Sequence, residues 1–171
     1  IHSCPTGFRK LTDFMTGLLG CRNCAYSRPL GAMREVDHTL KVFRALQSPD
    51  KYVVVQFAPA VRATLGEEFG MEPGSLVTGK LYAALRRLGC RQVWDTNFSA
   101  DLTIMEEGYE LIHRLNNGGK LPQFTSCSPG WIRYCENFYP DLIPNLSTAK
   151  SPQQMLGAVA KTFAAERLGV D

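Results

Sequence analysis

Apolar residues fall at two spacings along this chain, and the alternation between them predicts its elements. Residues 36–47 carry Leu40, Val42, Phe43 and Leu46 at helical spacing, with Asp37 as a cap and Ser48-Pro49-Asp50 as the stop. Tyr52-Val53-Val54-Val55-Gln56-Phe57 is a short, nearly continuous β-branched run, the pattern of a strand buried on both faces. The order then repeats: helical patterns over 61–69 and 75–88, a strand over 92–96, and a helix over 100–117 stopped by Asn117-Gly118-Gly119. A strand over 122–125 and helices over 129–138 and 152–168 complete the series. Strands separated by helical crossovers predict an α/β fold, a parallel sheet covered by helices. Residues 1–31 are irregular, and no internal repeat or low-complexity tract is present.

Composition narrows the class. A chain of 171 residues with 44% hydrophobic content fits one domain, or one domain with a small appendage, and argues against intrinsic disorder. Nineteen basic against sixteen acidic residues give +3, too even a balance for a dedicated nucleic-acid binder. No apolar run approaches the roughly 20 residues that cross a bilayer. There is no charged-then-apolar leader, so a soluble cytoplasmic protein is expected. The chain opens on Ile1 and stops at Asp171 straight after a helical pattern, which suggests a piece of something longer.

The six cysteines, at 4, 21, 24, 90, 127 and 135, are scattered apart from Cys21-x-x-Cys24, so reduced thiols are expected, some of them metal ligands. In open α/β sheets ligands sit outside the carboxyl ends of the strands. The segments there are Ala58-Pro59-Ala60, Asp95-Thr96-Asn97 and Thr125-Ser126-Cys127-Ser128-Pro129. The last sets a thiol where a strand turns into a helix, a position that favours a thiolate or another anion. A buried, inert cysteine is the plain alternative.

Phe124-Thr125-Ser126-Cys127-Ser128-Pro129-Gly130-Trp131 resembles the first of three cysteine motifs of iron-only (FeFe) hydrogenases, Thr-Ser-Cys-Cys-Pro-x-Trp. The resemblance extends to Ala58-Pro59-Ala60-Val61-Arg62 with Leu65-Gly66-Glu67, to Thr103-Ile104-Met105-Glu106-Glu107, and to the run from Asn145 to Gln154. These motifs stand in the family's order over residues 32–171, which are thereby expected to be the amino-terminal part of a hydrogenase catalytic domain. The resemblance implies the H-cluster, an organometallic diiron unit joined to a four-iron (4Fe-4S) cluster, with dihydrogen and protons as substrates. It places the proton path on Cys127, Glu107, Ser147, Glu110 and Arg114, and puts Ala58 and Pro59 in the cavity wall around the diiron unit's diatomic ligands. It also implies electron delivery through iron–sulfur clusters, from ferredoxin or from a nicotinamide-linked subunit.

The residues allow a check. Glu107, Glu110 and Arg114 are spaced i, i+3, i+7, one stripe of the 100–117 helix. Ile104, Met105, Tyr109, Leu111, Ile112 and Leu115 fill an apolar arc that begins at the stripe's edge, so Glu107 is expected at the border of the core. Carboxylates in line can pass protons where solvent is excluded. On residues alone, a solvated face with one helical ion pair is the alternative.

Two departures from the family pattern matter. The second cysteine of the doublet, which ligates the four-iron cluster, is Ser128 here. A serine oxygen is a harder ligand than thiolate, so either Cys127 supplies the ligand, Ser128 does, or the cluster is lost. The family's other two cysteine motifs do not occur in the chain, so the complete cluster is not expected on it and the chain alone is expected to be inactive. Residues 1–31 look like the remnant of a ferredoxin-type module, written C-x2-C-x2-C-x3-C-P. Aligned on Arg28-Pro29, Cys21 and Cys24 take two of the four ligand positions and Cys4 could supply a third. A further 4Fe-4S cluster, a degenerate remnant, and zinc held with a histidine are the three readings.

The other chemistry-bearing residues read plainly. His2, His38 and His113 lack metal-ligand spacing, and Cys90, Cys135, Trp94 and Trp131 read as packing residues. Two other functions compete with the enzyme. One is a hydrogenase-like factor of cytosolic iron–sulfur assembly, though such factors lack the relay cysteine and keep the ligand before proline, the reverse of Cys127 and Ser128. The other is a non-catalytic degenerate module completed by another chain.

Overall fold

A computed structural model of the chain describes residues 36–170. Cys4, Cys21, Cys24 and the expected ferredoxin-like segment lie outside the described residues. The described residues divide into two units, one holding 38–105 and 150–170, the other holding 106–149.

In the first unit, α1 (Thr39–Gln47) leads to β1 (Val54–Phe57), α2 (Pro59–Thr64) and a 3-10 turn (Glu67–Phe69). Then come α3 (Thr78–Arg87), β2 (Gln92–Asp95) and the start of α4 (Asn97–Asn117). The two strands pair in parallel, with Val54 opposite Gln92 and Phe57 opposite Asp95. Phe57, Leu81, Cys90 and Val93 form the buried core, flanked by Leu46 from α1 and by Tyr82 and Leu85 from α3. Phe57 meets Tyr82 edge to face at 5.1 Å. Fully burying a side chain such as Phe57 or Leu81 stabilises by about 1.5–3 kcal/mol.

The last stretch of this unit is α6 (Pro152–Val159), a π-helical turn (Ala160–Ala164) and α7 (Ala165–Leu168). A reciprocal cap starts it: Gln154 N–H donates to the Ser151 hydroxyl at 3.3 Å and Ser151 N–H to Gln154 Oε1 at 3.2 Å. Thr103 joins α4 to α6 through the sulfur of Met155, 3.2 Å from its hydroxyl.

The second unit takes α4 from Glu106 onward, α5 (Pro129–Phe138) and a 3-10 turn (Pro140–Asn145). Phe124 packs on Trp131 with ring centroids 6.2 Å apart. The amide of the buried Asn145 donates to the Pro122 carbonyl at 2.8 Å.

Several expectations are corrected here. The strand expected over 122–125 is a single parallel bridge, Phe124 to Leu146, made by Phe124 N–H to Asn145 O and Ser147 N–H to Phe124 O. Pro122 has no N–H for a ladder, and by Ser126 the chain is already turning, its hydroxyl taking the Ser128 N–H at 3.0 Å. The helix expected over 61–69 breaks in two, and Gly70, at φ +70°, closes its 3-10 half in a left-handed conformation. The cap of α1 is His38 instead of Asp37. Of β1, only Phe57 is fully buried, because the sheet has two strands among the described residues. Trp131 is exposed and Trp94 half-buried.

The apolar arc of α4 is also uncovered. Ile104, Met105, Tyr109, Leu111, Ile112 and Leu115 are all exposed. Helical periodicity reveals which side chains share a face, not whether anything within the chain covers it. Cys90 and Cys135 are buried, as packing residues should be, and burial pushes the Cys90 thiol up.

Candidate functional site

The second half of α4 presents Glu107, Glu110 and Arg114 along one side, as their spacing requires. Glu110 is at the centre. Its Oε1 accepts two bonds from Arg114, from Nη2 at 2.6 Å and Nε at 3.1 Å. Its Oε2 accepts the Ser147 hydroxyl at 2.6 Å and the Thr148 N–H at 2.9 Å. The Arg114 side chain is 11% exposed and that of Glu110 17%, so this i, i+4 pair is no solvated surface contact.

Arg114 spends its remaining donors on backbone. Nη2 reaches Leu146 O at 2.6 Å, and Nη1 reaches Lys120 O at 3.0 Å, Pro144 O at 3.2 Å and Asn145 O at 3.3 Å. Only a planar guanidinium can bind a carboxylate side-on and still collect carbonyls around its far edge. Gly119 makes room for it. A Cβ on Gly119 would lie 2.8 Å from both Cβ and Cγ of Arg114. Gly118, at φ +70°, turns the chain so that Gly119 N–H can meet Arg114 O at 2.7 Å.

The two carboxyls are pushed in opposite directions. Burial, and then the negative charge of Glu110, raise Glu107 above the ordinary carboxylate range. Burial would raise Glu110 too, but the bonds from Ser147, Arg114 and Thr148 outweigh it and hold that carboxyl low. Acid and base roles separate where environments drive neighbouring pKa values apart. Glu107 thus binds a proton more readily than an ordinary carboxyl, and Glu110 less readily.

Of the five residues proposed for a proton path, Glu110, Ser147 and Arg114 are joined by direct hydrogen bonds, and Glu107 is coupled to Glu110 through charge. Cys127 is exposed, two residues before Pro129 opens α5, and is not hydrogen-bonded to Glu107. Sequence reasoning missed Gln123, whose Nε2 donates to the Glu107 carbonyl at 3.0 Å and whose Oε1 is buried without a partner. It also missed Thr148 and the carbonyls around Arg114. Backbone acceptors leave no mark in a sequence, but the glycine pair beside a helical arginine could have signalled the close approach. Ala58 and Pro59 are exposed, at the N-terminal end of α2 after β1.

Among the described residues, no three His, Cys, Asp or Glu side chains gather as a metal centre requires. The Cys127 thiol, and a Ser128 hydroxyl that makes no capping bond, offer one corner of an iron–sulfur ligand set, against the four thiolates such clusters take. The residues present therefore fit as contributors to a cluster site and not as its whole cage.

The described residues thus combine a parallel strand pair joined through helices with a largely buried Glu–Arg pair on their longest helix. The family described as iron only hydrogenase large subunit, C-terminal domain, matches residues 51–170, and the chain belongs to it. It is 53% identical over 156 residues to the NADP-reducing hydrogenase subunit HndD of Solidesulfovibrio fructosivorans, covering 88% of this chain and 27% of that protein. It superposes on the apo [FeFe]-hydrogenase HydA1 of Chlamydomonas reinhardtii (variant C377H) with a TM-score of 0.73 and 48% identity, covering 79% of this chain and 35% of that one. A more distant relative, the cytosolic iron-sulfur assembly component 3 of Bos taurus, is 33% identical over 94% of this chain and 37% of its own length. The chain thus spans roughly a quarter to a third of these relatives. No helix among the described residues is long and apolar enough to cross a membrane.

Proposed function

We propose that the chain is part of an iron-only hydrogenase that interconverts dihydrogen with protons and electrons, and that Glu107, Glu110, Ser147, Arg114 and Cys127 carry its proton path. The observation that carries this reading is the family match over residues 51–170, supported by the direct bonds that join Glu110 to Ser147 and Arg114. When bound, the H-cluster supplies the redox-active iron at which protons are reduced or dihydrogen is oxidised. Glu107 holds a transferable proton on its carboxyl. Ser147 bridges toward Glu110 by a hydroxyl that can donate and accept, and Arg114 keeps Glu110 ionised and oriented. The Cys127 thiol is the last donor and acceptor before the metal. Ala58 and Pro59 form part of the cavity wall, and Ser128 contributes one ligand to the four-iron cluster; Cys127 is the alternative ligand, and as a ligand it would leave the proton path.

Residues 32–171 are the amino-terminal part of the catalytic domain in this reading, and residues 1–31 a ferredoxin-like remnant with Cys4, Cys21 and Cys24. Electrons come from ferredoxin or a nicotinamide-linked subunit, the latter in keeping with the NADP-reducing relative. A cytoplasmic setting accords with the free thiols of Cys90, Cys127 and Cys135.

The test is a hybrid in which residues 51–170 replace the matching stretch of a full-length hydrogenase. Viologen-driven hydrogen evolution above a metal-free blank is expected, and the 171-residue chain alone should give none. A folded, iron-retaining hybrid that evolves no hydrogen overturns the reading.

A further inference from the structure

At the carboxyl ends of the two strands, in the unit that holds Ala58 and Pro59, Arg62 of α2 donates from Nη2 to Oδ1 of Asp95 at 2.5 Å. Their side chains are 15% and 22% exposed. Asp95 closes β2, and the same Oδ1 accepts the N–H of Asn97 at 2.9 Å where α4 begins. The guanidinium lies 5.3 Å from the ring centre of Phe57, which closes β1 directly opposite Asp95. The Arg62 carbonyl accepts the Val77 N–H at 3.1 Å. One side chain thus touches the end of each strand, and its acceptor also holds the first turn of α4.

This pair is an unpromising device for stability. The Arg62 Nε–H is buried without a partner, and a largely desolvated ion pair with an unsatisfied donor does no better than apolar residues of the same volume. What a short charge-assisted bond does supply is a fixed geometry. The geometry points to Arg62 and Asp95 as a positioning pair that fixes the Ala58–Pro59 turn over the strand ends. It rests on the reading that this turn borders the diiron unit. One helical turn separates Pro59 from Arg62, so an anchor at Arg62 sets where the turn lies.

Asp95→Asn keeps an acceptor for Asn97 and removes the charge. Hydrogen exchange on the full chain is expected to rise about tenfold for the amides of 60–65, with those of β1 and β2 changing less than about twofold. Arg62→Lys, which keeps the charge and loses the planar fork, should give the same local pattern, and it decides the matter if Asp95→Asn fails to fold. No change over 60–65, or an equal rise throughout the unit, overturns the positioning role. In the cofactor-loaded hybrid, the infrared bands of the diiron unit's diatomic ligands should shift in both variants. Bands that stay put while 60–65 loosens overturn the assignment of Ala58–Pro59 to the cavity wall, and with it the pair's service to the site.

Discussion

Ser147 and Glu110 are 37 residues apart in sequence and 2.6 Å apart in space, hydroxyl to carboxylate. That contact ties a loop to the face of a helix and leaves Glu110 saturated with donors. Glu107, one turn earlier, has no such donors on its carboxyl among the described residues. The contrast between the two sets their carboxyls apart, Glu107 above the ordinary range and Glu110 below it.

Glu107→Gln should therefore stop turnover in the hybrid enzyme while cluster spectra persist. The amide keeps the shape and cannot pass a proton, and positioned proton transfer contributes about 100-fold or more. Retention of most of the activity would mark the stripe as an ordinary helix face.

Stability should depend on pH in opposite senses at the two positions. Glu110, held low when folded, contributes stability that is present above the unfolded carboxylate range near about 4.3 and is lost as pH falls through its lower folded value. Glu107, raised when folded, favours the folded state below that range, and the advantage is lost as pH rises through its higher folded value. Thermal unfolding should show Glu110→Gln costing more near pH 7 than near pH 3. Glu107→Gln should compare better with the parent at pH 7 than at pH 3. Parallel curves for both variants would contradict the assignment.

Gly119→Ala should act at a distance from its own backbone. The added methyl needs space that the Arg114 side chain fills, and overpacking of this kind costs about 1–3 kcal/mol. The cost should fall partly on the Arg114–Glu110 pair. A double-mutant cycle of Gly119→Ala with Glu110→Gln, read by unfolding midpoints, should be non-additive; strict additivity would place the clash elsewhere.

Ser128→Cys should raise iron retention by the hybrid during a chelator challenge, because thiolate matches iron better than a hydroxyl that must first lose a proton of much higher pKa. Cys127→Ala should leave that retention largely intact. The reverse result, loss of iron on Cys127→Ala and no gain from Ser128→Cys, would make Cys127 the ligand and remove it from the proton path.

Element types were readable in the sequence wherever periodicity was long or punctuation strong. The 100–117 helix and the Pro129 start of α5 are where the apolar spacing and the proline put them. The strand over 122–125 was not, because a short apolar run carries no information about whether a neighbour will pair along its length. The stripe of Glu107, Glu110 and Arg114 was legible from spacing alone, since an α-helix fixes which residues share a side. The polarity of that stripe was not. It depends on Ser147, Thr148 and three carbonyls brought in by the chain after α5, on the Lys120 carbonyl before it, and on Gly119, which reads in sequence as nothing more than a helix stop.

The parallel pair of β1 and β2 has a consequence for handling the protein. Two strands, the only ones among the described residues, make a sheet that is all border and no middle, each strand turning one row of N–H and C=O groups away from its partner. Such a border recruits whatever extended chain arrives first. When the chain is made by itself at high concentration, those two rows are where a further extended strand would add.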